Sequence, residues 1–273
     1  MIRNFFVIGL LVFGSLLGNE RWIYYTSDKA PVEAFSPYSL LVLDSFYHPP
    51  LKPLKKQGKI LLGYISLGEV GDYRSWFKTV KDEGILLEEN KNWPGSYMVD
   101  LRDTRWRERL IKKIIPQVLE KGFDGLHFDT LDDAVYLENK DPKRYAGMVD
   151  AAVQTIKEIR KNYPNIPIML QRAYPILLKV AGDVNFALAE DALTTYDFEN
   201  KKYLMQPQEV VDEQLDYLRR AQKINPKLKL YALDYWYPDQ TEQVKKIYRT
   251  DRENGLIPYV ATIDLHKVIP EPK

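Results

Sequence analysis

The chain has 273 residues, 45% hydrophobic and 28% charged, with 39 Lys and Arg against 38 Asp and Glu. That apolar content and 19 tyrosines exclude a disordered chain, and a net charge of +1 without a Lys/Arg-rich block gives no field for nucleic acid. The lack of Cys excludes disulfides, zinc ribbons, iron–sulfur clusters and thiol nucleophiles, leaving a neutral globular body of enzyme size.

The first eighteen residues stand apart from that body. Met1-Ile2-Arg3-Asn4 precedes thirteen uncharged residues, Phe5 to Leu17, which is the pattern of a secretory signal. The run is short for a membrane span, which needs about 20 apolar residues. An uncleaved N-terminal anchor is the variant reading, and a buried helix fits poorly because Asn19 and Glu20 end the run abruptly. Cleavage could follow Gly14 or Gly18, and without Cys lipoprotein processing is excluded. The chain is therefore read as a signal segment, residues 1–18, and one exported domain, residues 19–273, secreted, periplasmic or held at the cell surface. Without Arg3 that domain carries 38 basic against 38 acidic residues.

Within it, short apolar or β-branched runs predict strands at residues 22–26, 40–44, 60–66, 97–101, 125–129, 168–171, 184–189, 228–234 and 257–261. Several are nearly continuous hydrophobic runs, as in parallel strands covered on both faces. Between them the spacing predicts amphipathic helices at 104–120, 144–163, 208–224 and 240–253, with Gly122, Gly182 and Gly255 as helix C-caps. Strands alternating with helices over this length predict a single-domain (β/α)8 TIM barrel, with 97–101 as a surplus strand in a long crossover. A doubly wound open sheet is the alternative.

In such a barrel the C-terminal ends of the strands form the active-site face. Those ends supply Asp44, Ser66 with Glu69, Asp100, Asp129, Gln171 with Arg172, Glu190 with Asp191, and Asp234. Any one of these could cap a helix or form an ion pair, but so many carboxylates at one end point to a functional cleft. Asp129, Asp132 and Asp133 match no metal-ligand spacing, and His127 reads as a lone core histidine. No metal or other cofactor is expected. The segment from Gly63 to Gly71 is neither GxGxxG nor a phosphate loop, so its glycines are read as letting the chain turn tightly beside a ligand. Aromatic residues gather at the same strand ends, among them Tyr64, Tyr73, Trp76, Trp93, Tyr196, and Tyr235-Trp236-Tyr237 directly after Asp234. Carboxylates among aromatic platforms suit a sugar, which offers apolar ring faces for stacking and hydroxyls for hydrogen bonds.

Tyr64-Ile-Ser-Leu-Gly-Glu69 with Tyr73-Arg74, Val99-Asp100-Leu-Arg102 with Trp106, and Gly122-Phe-Asp-Gly125 through Phe128-Asp129-Thr-Leu-Asp132 resemble glycoside hydrolase family 114. Those are the endo-α-1,4-polygalactosaminidases and related exported barrels. Gln171-Arg172, Ala189-Glu190 and Thr195-Tyr196-Asp197 continue the resemblance, which covers about residues 22–262. It implies hydrolysis of an α-linked, amino-sugar (galactosaminogalactan-like) polysaccharide by two acids. Asp129 would be the nucleophile and Glu190 the general acid/base of a retaining mechanism. Asp44, Tyr64, Ser66, Glu69, Arg74, Asp100, Asp132, Gln171, Arg172, Tyr196, Asp234, Tyr235 and Tyr237 would line the substrate site. Glu190 should lie in a less solvated pocket than Asp129, with Asp191 pointing away and paired structurally. Gln171-Arg172-Ala173 departs from the family pattern, standing where the better-known members carry an Asn-Gly-type element. A surface polysaccharide-binding barrel without turnover is the rival reading. Beyond the glycan and the possible anchor, neither nucleic acid nor membrane is expected as a partner.

Overall fold

A computed structural model describes residues 20–273, so the signal segment expected at residues 1–18 lies outside the described residues. Hydrophobic runs punctuated by turns form β1 (Trp22–Tyr25), β2 (Leu40–Asp44), β3 (Ile60–Ser66), β4 (Glu69–Gly71), β5 (Leu86–Glu89) and β6 (Ser96–Val99). They continue as β7 (Gly125–Asp129), β8 (Ile168–Gln171), β9 (Phe186–Glu190), β10 (Thr194–Asp197), β11 (Lys202–Met205), β12 (Lys229–Tyr235) and β13 (Ile257–Ala261). The helices are α1 (Leu51–Lys56), α2 (Phe77–Asp82), α3 (Thr104–Arg109), α4 (Ile115–Glu120), α5 (Asp132–Lys140), α6 (Met148–Asn162), α7 (Tyr174–Val180), α8 (Gln208–Ile224) and α9 (Thr241–Glu253).

Eight strands pair in the order β1-β2-β3-β7-β8-β9-β12-β13, all in parallel, with helices between them. This is a nearly closed (β/α)8 barrel. Among the described residues no backbone ladder joins β1 to β13. Trp22 bridges them instead: its indole N–H donates to the Ile257 carbonyl at 2.9 Å, and its ring meets Tyr231 and Tyr259 edge-on at 5.3 and 6.0 Å.

The surplus strand belongs to an insertion that the sequence only hinted at. β6 is the centre of a three-stranded antiparallel sheet, β4-β6-β5, between β3 and β7. A second insertion, the β10–β11 hairpin, rises between β9 and β12. Its strands are only four residues each, so no long alternating run announced them.

The helix predicted at 104–120 is interrupted by a π-helical turn, Leu110–Ile114, between α3 and α4. Pro116 accounts for it, because its ring cannot tolerate the normal i−4 carbonyl and has no N–H to offer. The helix predicted from 144 begins at Met148, after Gly147 in the left-handed region at φ 85°. Gly122 and Gly255 take positive φ as C-caps, but Gly182 does not.

Residues paired in a parallel ladder face the same side. Tyr24 touches Tyr64 and His127 with ring centroids 6.2 and 5.0 Å away, which places that set inside the barrel. Following the register then turns Asp44, Tyr64, Ser66, Asp129, Gln171, Glu190 and Tyr235 inward and Asp234 outward, beneath the helices. At the N-terminal end of β3, Lys59 is buried, its ammonium donating to the carbonyls of Phe35, Ser36 and Tyr38 at 2.7, 3.3 and 2.6 Å.

Candidate active site

Asp129 ends β7 and Glu190 ends β9, both inward, with Gln171 at the end of β8 between them. Asp129 Oδ2 accepts from the Tyr64 hydroxyl at 3.1 Å, and Oδ1 from the Thr130 N–H at 2.7 Å. Glu190 Oε1 accepts from the Tyr235 hydroxyl at 2.5 Å, and Oε2 from the Gln171 amide at 2.8 Å. Each carboxyl is thus oriented by two donors, as a reacting group must be. Burial raises both pKa values, and the Glu190 charge helps push Asp129 to about 8. The charge of one acid bears on the proton of the other, so the two titrate as an interacting pair.

Asp129 and Glu190 are both half-buried, and charged neighbours act on each. The Arg172 guanidinium opposes the proton on Glu190, while the Asp132 charge favours the proton on both acids. Arg172 bridges the rim, with Nε 3.4 Å from Asp132 Oδ2 and Nη1 3.8 Å from Asp191 Oδ2. Asp191 also accepts weakly from the Thr195 hydroxyl at 3.4 Å, so it is paired as expected. It has not left the site, however. The Glu190 charge follows burial in raising its pKa to about 8, and its Oδ1 is buried without a partner.

Several expected substrate contacts are held elsewhere. Asp234 is fully buried behind the barrel wall, its Oδ1 accepting from the Leu193 and Thr194 N–H groups and the Thr194 hydroxyl at 2.7–2.9 Å. Glu69 is 5% exposed and accepts from Asn90 at 2.7 Å and Ser96 at 2.5 Å, bracing the first insertion. Asp234 thus lies behind the wall, whereas Glu69 still lines the cavity beside Tyr64 and Arg74. Asp100 is gripped by Arg102, which holds its carboxyl below the usual range. Asp44 Oδ1 accepts from the Phe46 and Tyr47 N–H groups, and Oδ2 pairs with Arg74 at 3.2 Å. Arg74 in turn lies over the rings of Phe46 and Tyr73 and lines a cavity of about 50 Å³ with Tyr64, Ser66 and Trp76. The Ser66 hydroxyl bonds the Thr130 hydroxyl at 2.8 Å and donates to the Glu69 carbonyl at 2.9 Å. Tyr196 and Tyr237 pack on Tyr203, at 5.1 and 4.7 Å, above the barrel mouth. Tyr235, only 2% exposed, acts through Glu190.

The glycines after Tyr64 serve close packing within the chain. A Cβ on Gly68 would lie 2.0 Å from the Thr130 carbonyl oxygen. Thr130 itself sits at φ 64°, where its hydroxyl accepts from the Gly68 N–H at 2.8 Å. Through this contact the loop after β3 locks the residue following Asp129. His127 is buried inside the barrel with neither ring nitrogen hydrogen-bonded, and burial lowers its pKa to about 3.

Two further acids back the site, Asp251, which the sequence did not single out, and Asp133, which it weighed only as a metal ligand. Asp251, on α9, is fully buried against Asp234, and Asp133, on α5, meets Glu69. Partners more than fifteen residues apart in sequence leave no spacing signal. Burial, followed by the Glu69 charge, raises Asp133 to about 10. The folded chain therefore keeps a proton that the unfolded chain releases above about pH 4, so stability falls as pH rises between those values. Asp133→Asn keeps a donor for Glu69 but cannot ionise. Its melting temperature should decline less than that of the wild type between pH 5 and pH 9, with up to about 1.4 kcal/mol per pH unit removed from the slope. Parallel melting curves for the two proteins across that range would refute the assignment.

The chain matches the model of glycoside-hydrolase family GH114 over residues 16–272. An uncharacterised protein of Thermotoga maritima is 26% identical over 274 aligned residues, covering 90% of this chain and 81% of its own. The protein MJ1477 of Methanocaldococcus jannaschii is 25% identical, covering 89% and 75%. In fold, the barrel is similar to the glycoside hydrolase domain of PelA from Pseudomonas aeruginosa, with a TM-score of 0.80, 22% identity, and 92% and 98% of the two chains covered. Aspergillus fumigatus Ega3, solved in complex with galactosamine, aligns with a TM-score of 0.67 at 14% identity, covering 93% and 94%. With its barrel, its paired inward acids and a family match spanning almost the whole chain, this protein belongs to glycoside-hydrolase family GH114.

Proposed function

We propose that this protein is exported and hydrolyses α-linked amino-sugar polysaccharide internally, with Asp129 as nucleophile and Glu190 as general acid/base. The observation that carries this reading is the pair of inward strand-end carboxyls, each held by two donors, with burial raising the pKa of both. In the first step Glu190 gives its proton to the leaving glycosidic oxygen while an Asp129 oxygen bonds the anomeric carbon. Water then attacks that carbon, Glu190 takes the water proton, and Asp129 departs as a carboxylate.

Arg172 faces Glu190 and favours its ionised form, while the Asp132 charge favours the proton on both acids. A protonated amino sugar beside Asp129 and Asp132 would stabilise ionised Asp129 and leave the proton to Glu190. An amine on the substrate would thus set the protonation state that the reaction requires. The galactosamine bound by Ega3 is in keeping with this substrate class. Export rests on the uncharged run of residues 5–17.

Deacetylated α-1,4-galactosamine polymer incubated with the protein should yield new reducing ends, with the α-anomer appearing first by NMR. Polymer binding without reducing ends would favour the non-catalytic barrel, and a β-anomer appearing first would overturn the retaining mechanism.

A further inference from the structure

The two insertions rise from the same end of the barrel and touch at their tips. Trp93, in the turn between β5 and β6, meets Phe198, in the turn between β10 and β11, edge-to-face with centroids 5.4 Å apart at 76°. The first insertion leaves the barrel after β3 and the second after β9, and in the barrel order β7 and β8 stand between those strands. Contact at the tips therefore closes a ring. Its floor is the set of strand ends that carries Asp129, Gln171 and Glu190.

Both arms are braced below the joint. In the first, Glu69 binds Asn90 and Ser96, Glu89 accepts from the Gly95 N–H at 2.7 Å, and Glu88 pairs with Lys140 of α5 at 2.6 Å. In the second, Asp197 accepts from the Asn200 N–H at 2.9 Å and its side-chain amide at 2.8 Å, while Phe198 also packs on Tyr196 at 5.0 Å. The joint itself is a contact between aromatic rings, and Trp93 remains 49% exposed while making it. A single aromatic pair of this kind is a weak contact beside the hydrogen bonds and ion pair that hold the arms, so the ring opens far more easily than either arm unfolds.

We propose that Trp93 and Phe198 form a clasp that determines the length of glycan the cleft accepts. Closed, the ring admits a short oligosaccharide or a free chain end. Open, it lets the interior of a polymer settle onto the carboxyl pair. The proposal rests on the polysaccharide reading above, since a polymer with no free end at the cleft can enter only if the clasp parts.

The chain contains no Cys, so Trp93→Cys with Phe198→Cys gives a protein whose only two thiols lie at the joint. A short bis-maleimide would hold it shut. The probes are deacetylated α-1,4-galactosamine polymer and its tetramer, with binding and reducing-end release both measured. Cross-linking should weaken polymer binding and internal cleavage by about tenfold or more while leaving the tetramer within about twofold, as expected when a gate limits access. The same double variant without cross-linker lacks both rings and should, like an open clasp, show a polymer-to-tetramer rate ratio at or above that of the wild type. Phe198→Ala, which opens the ring without thiols, should raise the polymer-to-tetramer rate ratio. An unchanged ratio in both the cross-linked protein and Phe198→Ala, or an equal loss on both probes after cross-linking, overturns the clasp. A wild-type protein that neither binds nor cuts either probe overturns the polysaccharide reading, and the clasp with it.

Discussion

Glu190→Gln is expected to lower kcat on the polymer by about a thousandfold or more, with binding largely retained, and Asp129→Asn to do the same. Each amide keeps the shape of the acid and can still accept from Tyr235 or Tyr64. What is lost is the proton in one case and the attacking oxyanion in the other. The two variants should differ in their pH dependence. Activity that needs a protonated acid/base falls as pH rises through the raised pKa of the pair, and Glu190→Gln should remove that alkaline limb from its residual rate. Azide separates the roles further. With Asp129→Ala it should yield the β-glycosyl azide by direct displacement. With Glu190→Ala it should intercept the glycosyl enzyme and give the α-azide. Reversed products would exchange the two roles, and full activity in either amide variant would remove that residue from the reaction.

Trp22→Ala should cost about 3–5 kcal/mol of stability, as for other fully buried large-to-small changes. For a domain of this size that lowers the melting temperature by roughly 10 °C. Trp22 is fully buried, but volume is not the whole reason. Its indole supplies a link between β1 and β13 at the one junction of the barrel that has no backbone ladder, and its edge packs on Tyr231 and Tyr259. Trp22→Phe keeps most of the packing and loses only the hydrogen bond, so about 1 kcal/mol is expected. Thermal unfolding checks both, and equal losses in the two variants would show that the indole N–H, not the filled volume, holds the junction.

The barrel was legible because its strands announce themselves. All eight are short apolar runs, and several end in an acid that packing turns inward or outward by strict alternation. Asp129 and Glu190 were visible for the same reason. Asp234 shows where that reading fails: it also ends an apolar run, yet it precedes the inward Tyr235 by one residue and faces the helices. A one-residue difference in phase separates the cleft from the wall, and composition does not reveal it. Glu69 lines the cavity beside Tyr64 and Arg74, but its hydrogen-bond partners, Asn90 and Ser96, arrive from twenty-one and twenty-seven residues downstream and left no signal in the motif. The insertions were obscure because their strands are only three or four residues long, and because the contact joining them is tertiary.

Lys59 has a chemical consequence. An amine whose ammonium is shared among three carbonyls and closed in by the chain is withheld from acylating reagents as long as the bottom of the barrel stays shut. Most other lysines sit on the solvated helices and react at once. The acylation of this one amine, followed by mass, therefore keeps time with the opening of the barrel floor and is independent of anything bound in the cleft at the opposite end.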